Sequence, residues 1–170
     1  MVNEVCKVLE HVDIGSGYRQ IVFDAPQIAA GAQPGQFVHV RVPGLEASAL
    51  RRPFSIFNAE GGKLELLYKT VGRGTAALNA VKPGDEVSVM GPLGHGFPLK
   101  CDGAALLVGG GFGVAPLYFL ARRLLNSPTP QLTHSPTLIL FVGGRTKADL
   151  LALDRFAALG VEVRAAIYWK

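Results

Sequence analysis

The sequence is poor in the residues that build metal sites and disulfide frameworks. Its 170 residues include only two cysteines, Cys6 and Cys101, and four histidines that lie far apart without metal-ligand spacing. Zinc sites and small disulfide-bonded folds need denser Cys and His patterns than this. We therefore expect no metal site and no disulfide, and we expect both cysteines to be small buried side chains.

Long hydrophobic segments and export signals are also missing. No apolar run reaches the length of a membrane span, and the first ten residues, MVNEVCKVLE, lack the apolar core of a signal peptide. The net charge of +4 comes from scattered Lys and Arg residues rather than from a basic stripe. These features predict a cytoplasmic protein that binds neither membranes nor nucleic acid, while the positive charge favours anionic cofactors.

A hydrolase nucleophile is not indicated, since no serine has a G-x-S-x-G context and no base is placed beside one. No catalytic residue is therefore predicted. What the sequence has in abundance is apolar side chains, at 49%, and turn residues, with 21 Gly and 11 Pro but no low-complexity tract or repeat. An ordered chain of one large or two small domains follows.

Residues 1–100 are predicted to form short antiparallel strands. Alternating or β-branched segments are separated by turn residues, and Glu60-Gly61-Gly62 predicts a hairpin. A short helix is expected over residues 74–81 and a turn over 82–85. The predicted strands cover residues 3–12, 18–25, 36–42, 52–58, 64–70 and 86–90. Six strands at this spacing predict a small closed antiparallel barrel.

Residues 101–170 instead alternate strands with helices. Residues 105–108 are a continuous apolar run, typical of a parallel strand covered on both faces, and helical spacing begins at Val114. The pattern repeats as a second buried strand at 137–142, a helix at 147–159 and a third strand at 161–167. This predicts a partial parallel-sheet nucleotide-binding domain. One edge and part of one face would be uncovered, which favours a homodimer or another partner.

Four glycines, Gly109, Gly110, Gly111 and Gly113, connect the first of these strands to its helix. They leave no side chain between backbone and ligand, and free N–H groups at a helix start suit a pyrophosphate. The Rossmann fingerprint is not met, because Val114 stands where its third glycine belongs and no acidic residue follows about 20 positions later. The alternative is a tight turn that only closes a βα unit.

Two segments of the predicted barrel carry phosphate-binding chemistry. In the first, strand alternation places Arg52 and Phe54 on one face and Pro53 and Ser55 on the other. In the second, residues 71–75, VGRGT, open the short helix and offer bare N–H groups and a hydroxyl. Either segment alone also fits a plain strand or a capped helix.

Together the segments resemble ferredoxin-reductase-like flavoproteins. Residues 52–55 are similar to their Arg-x-Tyr-Ser/Thr motif, residues 72–75 to their second phosphate site, and Gly111-x-Gly113-x-x-Pro116 to their nicotinamide-binding turn. The longer sequence segments around these motifs resemble most the electron-transfer subunits of NAD-dependent dihydroorotate dehydrogenases. The resemblance covers about residues 1–155 and includes LRRPFSI, LLYKTVGRGT, VMGPLGHGFPL and LLVGGGFGVAPL.

The resemblance implies FAD in the barrel and NAD(H) or NADP(H) at the glycine turn. By position, Arg52 would pair with the FAD pyrophosphate, Ser55 would hydrogen-bond the flavin edge, and Phe54 would pack on the ring where the family has Tyr. Arg145, after the second strand, would meet the adenosine side of the dinucleotide or be an exposed loop arginine. The other predicted cofactor-binding residues are Pro53, Leu67, Tyr68 and Lys69 (the last three on the ribityl and adenine side), Gly72, Gly74 and Thr75 at the phosphate, and Gly110, Gly111, Gly113 and Pro116 at the dinucleotide.

The resemblance also implies a function. The chain would pass electrons between a nicotinamide dinucleotide and FAD, coupled in the resembled enzymes to dihydroorotate oxidation, in pyrimidine biosynthesis, by a separate catalytic subunit. Related subunits of sulfide dehydrogenase or ferredoxin:NADP oxidoreductase share the motifs, and a flavin-binding module without turnover is the alternative from another class. The family continues into a four-cysteine segment that binds a [2Fe-2S] cluster. We expect no cluster here, and we expect a truncated chain or a fragment.

Overall fold

A computed structural model describes residues 1–45, 50–99, 103–126 and 137–168 of the chain. Its first six strands close into a barrel in the order β1-β2-β5-β4-β3-β6, and every pair of neighbours is antiparallel. The strands are β1 (Val2–Gly15), β2 (Tyr18–Asp24), β3 (Phe37–Val40), β4 (Arg52–Glu60), β5 (Lys63–Lys69) and β6 (Glu86–Leu93). The predicted six-stranded barrel is confirmed.

Alternation along β5 shows how the barrel is filled. Leu64, Leu66 and Tyr68 point into the barrel core, whereas Leu67 packs in a second core outside it. Because successive side chains of a strand point to opposite faces, this one strand serves both cores. The outer wall of the barrel at β5 is therefore covered by the second half of the chain.

Two short helices accompany the barrel. Helix α1 (Pro26–Gly31) was not predicted, and helix α2 (Arg73–Leu78) confirms the expected short helix, although it ends three residues earlier than predicted. The signal for α1 is not local, because the Glu4 carboxylate on β1 accepts hydrogen bonds from the backbone N–H groups of Gln27 and Ile28 at 3.3 and 3.1 Å. A six-residue helix capped from a distant strand shows little periodicity in its own sequence.

A three-stranded parallel sheet of order β7-β8-β9 follows the barrel. Its strands are β7 (Ala104–Gly110), β8 (Thr137–Gly144) and β9 (Glu162–Ile167), and its helices are α3 (Ala115–Asn126) and α4 (Leu153–Ala158). Both helices contribute to the second core, as shown by Ala121 of α3 and Phe156 of α4, which pack there with Leu140 of β8. They therefore cover the same face of the sheet.

The other face of this sheet is open in the described part of the chain. Leu106 and Val108 of β7 are 64% and 72% exposed, and Phe141 of β8 is also exposed. The prediction that the first two strands are covered on both faces is therefore wrong, whereas the expected uncovered face is confirmed. An apolar run shows only that a strand is apolar on both sides, and the placement of the helices decides which side is buried.

The predicted helix over residues 147–159 is also wrong. The structure has a 3₁₀ turn at Lys147–Asp149 and the separate helix α4, with Ala152 between them at φ 58°. Asp149 closes the turn by accepting hydrogen bonds from the Thr146 backbone N–H and hydroxyl at 3.0 and 3.1 Å. A left-handed residue cannot continue a right-handed helix, so the segment breaks at Ala152.

Charged side chains join the barrel to the sheet. Glu65 of β5 accepts hydrogen bonds from Arg155 of α4 and from Asn58 of β4, each at 2.7 Å. Arg122 of α3 donates to the Asn58 side-chain oxygen at 2.7 Å, and the Arg155 guanidinium lies 4.6 Å from the centre of the Phe57 ring. This network fixes how the sheet is seated on the outer wall of the barrel.

Candidate functional site

Two cavities meet where the barrel faces the sheet. The first, of about 180 Å³, lies against the outer surface of β4 and β5 and is called the barrel cavity. The second, of about 620 Å³, lies at the carboxyl ends of the parallel strands and is called the sheet cavity. Lys69 and Phe112 line both cavities. Ligands in the two cavities would therefore lie next to each other.

The barrel cavity brings together predicted residues from distant segments. Pro53 and Ser55 are exposed on the outer side of β4, whereas Phe54 points inward, is 7% exposed and packs against the Tyr68 ring at 5.5 Å. The predicted alternation of these residues is thus confirmed. The predicted site residues in its wall are Pro53, Phe54, Ser55, Leu67, Tyr68, Lys69 and Thr75.

Arg52 lies beside this cavity, across the start of α2. A Cβ added to Gly74 would lie 2.7 Å from the Arg52 Nε and 3.2 Å from its Cδ, so the glycine makes room for the arginine. The Nη1 of Arg52 donates to the Leu50 carbonyl at 3.0 Å and to the Arg51 carbonyl at 3.5 Å, whereas Nε and Nη2 donate to no described residue. The two predicted phosphate-binding segments therefore lie against each other.

Thr75 has a role inside the loop that precedes α2. Its hydroxyl donates to the Gly72 carbonyl at 3.1 Å and accepts from the backbone N–H groups of Val71 and Gly72 at 2.9 and 3.2 Å. The hydroxyl thus holds the glycine loop closed, and it does not point freely into the cavity. Direct contact of Thr75 with a phosphate stays a prediction.

Tyr68 lines the barrel cavity and also belongs to the barrel core. The hydroxyl oxygen lies 2.8 Å from His11 Nε2 and 3.0 Å from the Asn79 side-chain oxygen. Burial raises the pKa of Tyr68 to about 12, and burial lowers the pKa of His11. Tyr68 is therefore neutral at any physiological pH and belongs to a buried polar network behind the cavity.

Three charged or polar side chains form a cluster in the wall of the sheet cavity, namely Tyr18, Lys69 and Asp149. The Tyr18 hydroxyl donates to Asp149 Oδ1 at 2.7 Å, and Lys69 Nζ donates to the Tyr18 oxygen at 3.2 Å. The bond from Tyr18 lowers the pKa of Asp149 to about 2, and the same hydroxyl raises the pKa of Lys69. Asp149 is therefore anionic and Lys69 cationic over the whole physiological range.

The predicted glycines differ in what surrounds them. Gly111 has φ +51°, and a Cβ there would lie 2.9 Å from the Tyr18 hydroxyl oxygen. A Cβ at Gly110 would lie 3.1 Å from the Gly143 carbonyl oxygen, whereas one at Gly113 would meet no atom within 4 Å. Gly111 and Gly113 form a 3₁₀ turn ahead of α3, so one turn separates the glycines from the helix.

Arg145 lines the sheet cavity, is exposed, and pairs with no acidic side chain in the described part of the chain. It is the predicted residue best placed to meet an anion there. Five predicted residues lie outside the two cavity walls, namely Arg52, Gly72, Gly74, Gly113 and Pro116. Residues of the cavity walls that the sequence did not indicate are Tyr18, Phe112, Gly143, Gly144, Asp149 and Tyr168, whereas Val71 belongs to the predicted segment 71–75.

Metal ligands do not gather in the described ranges, where no three His, Cys, Asp or Glu side chains are close enough to hold an ion. Cys6 is completely buried, as predicted, and burial raises its pKa to about 12. Cys101 and His134 lie outside the described residues. In the same ranges no helix is long and apolar enough to cross a membrane.

Residues 5–97, which form most of the barrel, match the family described as oxidoreductase FAD-binding domain. The chain belongs to this family. The residues present fit the cofactor that the family binds, because Gly74 leaves the space that Arg52 fills, and their chain neighbours Pro53 and Thr75 line the barrel cavity. The resemblance to FAD-binding reductases is confirmed.

Two curated relatives of this chain carry the name dihydroorotate dehydrogenase B (NAD(+)), electron transfer subunit. The protein of Desulforamulus reducens is 42% identical over 160 residues, and that of Geobacillus thermodenitrificans is 40% identical over 146 residues. The alignments cover 92% and 83% of this chain but 58% and 54% of the relatives. The chain thus spans a little over half the length of these proteins.

Solved structures give the same result for the fold. The structure of an NADH-dependent reduced ferredoxin-NADP oxidoreductase, described in work on flavin-based electron bifurcation, matches with a TM-score of 0.81 at 28% identity, over 95% of this chain and 56% of that one. The Amycolatopsis cytochrome P450 reductase matches with a TM-score of 0.80 at 32% identity, over 98% and 52%. Both alignments cover about half of the matched chain.

Proposed function

We propose that the chain is the FAD- and dinucleotide-binding part of a flavoprotein electron-transfer subunit. FAD binds in the barrel cavity, NAD(H) or NADP(H) binds in the sheet cavity, and electrons pass between them. The observation that carries this proposal is that the two cavities share the side chains of Lys69 and Phe112. Adjacent binding is the geometry that direct hydride transfer between two cofactors requires.

In the barrel, Arg52 and the start of α2 hold the FAD pyrophosphate. A guanidinium with free donors suits a phosphate, and the close approach at Gly74 supports this role. Pro53, Ser55 and Leu67 border the flavin ring on the outer wall. Phe54 and Tyr68 support that wall, and Gly72 and Thr75 shape the phosphate loop. The flavin supplies the hydride acceptance, and the chain binds and orients it.

In the sheet cavity, the backbone of Gly110 and Gly111 allows the pyrophosphate of the dinucleotide to come close, and Gly113 continues the same 3₁₀ turn beside the cavity wall. Arg145 and Lys69 supply positive charge in the wall of that cavity. Phe112 lies between the cavities, where its ring excludes water from the meeting point of the ligands. Pro116 is the second residue of α3, directly after the 3₁₀ turn.

The relatives' name suggests the partner. The acceptor or donor is a catalytic subunit that oxidises dihydroorotate in pyrimidine biosynthesis, or a similar redox partner, as in sulfide dehydrogenase or ferredoxin:NADP oxidoreductase. The chain divides near residue 100 into an FAD-binding and a dinucleotide-binding domain. It holds no [2Fe-2S] cluster and binds neither nucleic acid nor membranes, and its location is cytoplasmic.

The test is an absorbance experiment with the purified 170-residue chain reconstituted with FAD. We expect flavin bands that persist after gel filtration and that bleach when NADH or NADPH is added without oxygen. A chain that retains FAD and is reduced by dithionite but by neither dinucleotide would be a flavin-binding module without turnover. The open face of the three-stranded sheet favours that second function. A chain that retains no FAD would overturn both.

A further inference from the structure

The Tyr18 hydroxyl is the point where the barrel and both βα turns of the sheet meet. Tyr18 begins β2 of the barrel, and its hydroxyl donates to Asp149 in the second turn at 2.7 Å. The same oxygen accepts from Lys69 of β5 at 3.2 Å and lies 2.9 Å from the position of a Cβ on Gly111 in the first turn. The segments that carry Lys69, Gly111 and Asp149, which are up to 80 residues apart in sequence, thus surround one oxygen atom of Tyr18.

The hydrogen bonds around this oxygen run in one direction. Lys69 donates to Tyr18, Tyr18 donates to Asp149 Oδ1, and Asp149 Oδ2 accepts from the backbone N–H and hydroxyl of Thr146. With Lys69 also 3.5 Å from Oδ1, four donors surround the Asp149 carboxylate. The carboxylate is therefore saturated, and it anchors the loop that carries Arg145 rather than accepting a hydrogen bond from a ligand.

The Tyr18 ring and its hydroxyl have separate roles. The ring is buried in the second core, and the Lys69 ammonium lies 4.3 Å above its centre. A phenylalanine would keep this packing and the cation–π contact. The hydroxyl lies among Lys69, Asp149 and the glycine turn, and it adds to the direct contact of Lys69 with Asp149 at 3.5 Å.

We propose that the Tyr18 hydroxyl is a positioning group for the dinucleotide, which fixes both βα turns of the sheet cavity and the Lys69 ammonium relative to the barrel. This inference rests on the proposed function of the sheet cavity and adds the residue that aligns that cavity with the flavin. Tyr18 acts through its neighbours and is not a catalytic residue.

The main test is Tyr18→Phe. We expect its dissociation constant for NADH, measured by titration calorimetry on the FAD-free chain, to rise about tenfold, since a hydrogen bond to a charged group is lost. The dissociation constant for FAD should stay within about twofold, because the hydroxyl lines only the sheet cavity. In the FAD-loaded chain the change should appear in the NADH concentration for half-maximal reduction more than in the limiting rate.

A double-mutant cycle separates positioning from general destabilisation. If Tyr18 acts through Asp149, the variant Tyr18→Phe/Asp149→Asn should bind NADH no more weakly than the weaker single variant. If the losses of NADH affinity in the two single variants added up in the double variant, Tyr18 would not act through Asp149. Tyr118→Phe is the matched control, because this buried tyrosine packs on Phe57 in the same core and lines neither cavity, and its NADH affinity should equal that of the wild type.

The outcomes distinguish this inference from the proposed function. A wild-type chain that binds NADH, together with a folded Tyr18→Phe chain that binds it equally well, overturns the positioning role alone. A wild-type chain that binds no dinucleotide at micromolar to millimolar concentration overturns the proposed function and this inference with it.

Discussion

The close approach of Arg52 to Gly74 predicts that a substitution of either residue weakens FAD binding. Arg52→Ala should weaken FAD binding by about 1.5–3 kcal/mol, the usual value of a hydrogen bond to a charged group. Gly74→Ala should weaken it in the same direction, because the new Cβ would lie 2.7 Å from Arg52 Nε and displace the guanidinium. The measurement is FAD titration followed by quenching of flavin fluorescence.

Each of these variants has a matched control. Arg123 is an exposed arginine on α3, away from both cavities, so Arg123→Ala should bind FAD as the wild type does. A Cβ on Gly31 would meet Pro92 only at an ordinary 3.8 Å, so Gly31→Ala should also be neutral for FAD. If Arg52→Ala retained FAD with wild-type affinity, Arg52 would not belong to the FAD site.

Gly113 gives a cleaner test of the dinucleotide turn than Gly111 does. Gly111 has a positive φ, and a Cβ there would lie 2.9 Å from the Tyr18 hydroxyl oxygen, so its variants would disturb the fold as well as any ligand. A side chain at Gly113 meets no protein atom within 4 Å, so Gly113→Val should leave FAD binding and stability unchanged. We expect it to abolish flavin reduction by NADH while dithionite still reduces the flavin. Reduction at the wild-type rate would mean that the turn has a structural role only.

How far the site could be predicted depends on whether its residues are close in sequence. Arg52, Ser55 and the glycines belong to short motifs whose residue types carry their chemistry, so the sequence indicated them. Tyr18 and Asp149 lie 131 residues apart and meet only because the sheet packs on the barrel. No local pattern carries that contact, which is set by tertiary packing.

At the scale of elements, the strands were predicted better than the helices. The hairpin formed by β4 and β5 was predicted to within two residues at each end, because alternation and a Glu-Gly-Gly turn specify it. Helix α1 was missed because Glu4 caps it from another strand. The break within residues 147–159 was missed because alanine is a residue type that favours helices, whereas Ala152 has the positive φ of a turn residue.

Ala152 leads to a prediction about this break. A left-handed conformation costs an alanine roughly 1–2 kcal/mol, and glycine avoids that strain at an entropic cost of about 0.5–1 kcal/mol. Ala152→Gly should therefore increase the free energy of unfolding by about 0.5–1 kcal/mol, measured by urea denaturation. The control Ala157→Gly, at an exposed position inside α4, should decrease it by about 1 kcal/mol. Equal effects of the two substitutions would contradict the role of φ.

At the scale of the whole molecule, the sequence predicted a barrel followed by a partial sheet but not how the two are joined. The joint depends on the side chains around Glu65, which come from β4, β5, α3 and α4. Their residue types alone are those of ordinary exposed charges. They come together because the second core packs the sheet on the barrel, as in the stacking of Tyr118 on Phe57 with ring centres 4.8 Å apart.

The open face and free edge of the three-stranded sheet predict that the chain self-associates. Among the described strands, β7 pairs only with β8, so its other edge is free, and its sequence AALLVGG has no charge or proline to discourage pairing. Leu106 and Val108 add an exposed apolar surface beside that edge.

We expect the 170-residue chain to form dimers at concentrations of the order of 10 μM, as weak apolar interfaces do, and Val108→Lys to shift it toward the monomer. Sedimentation velocity over a concentration series measures this. Val12→Lys, at an exposed valine on β1 of the barrel, is the control and should self-associate as the wild type does. The two lysine variants carry the same added charge, so only a surface at β7 can separate them. Equal association of the two would place the contact elsewhere, and a monomeric wild type would show that this face does not bind a second copy.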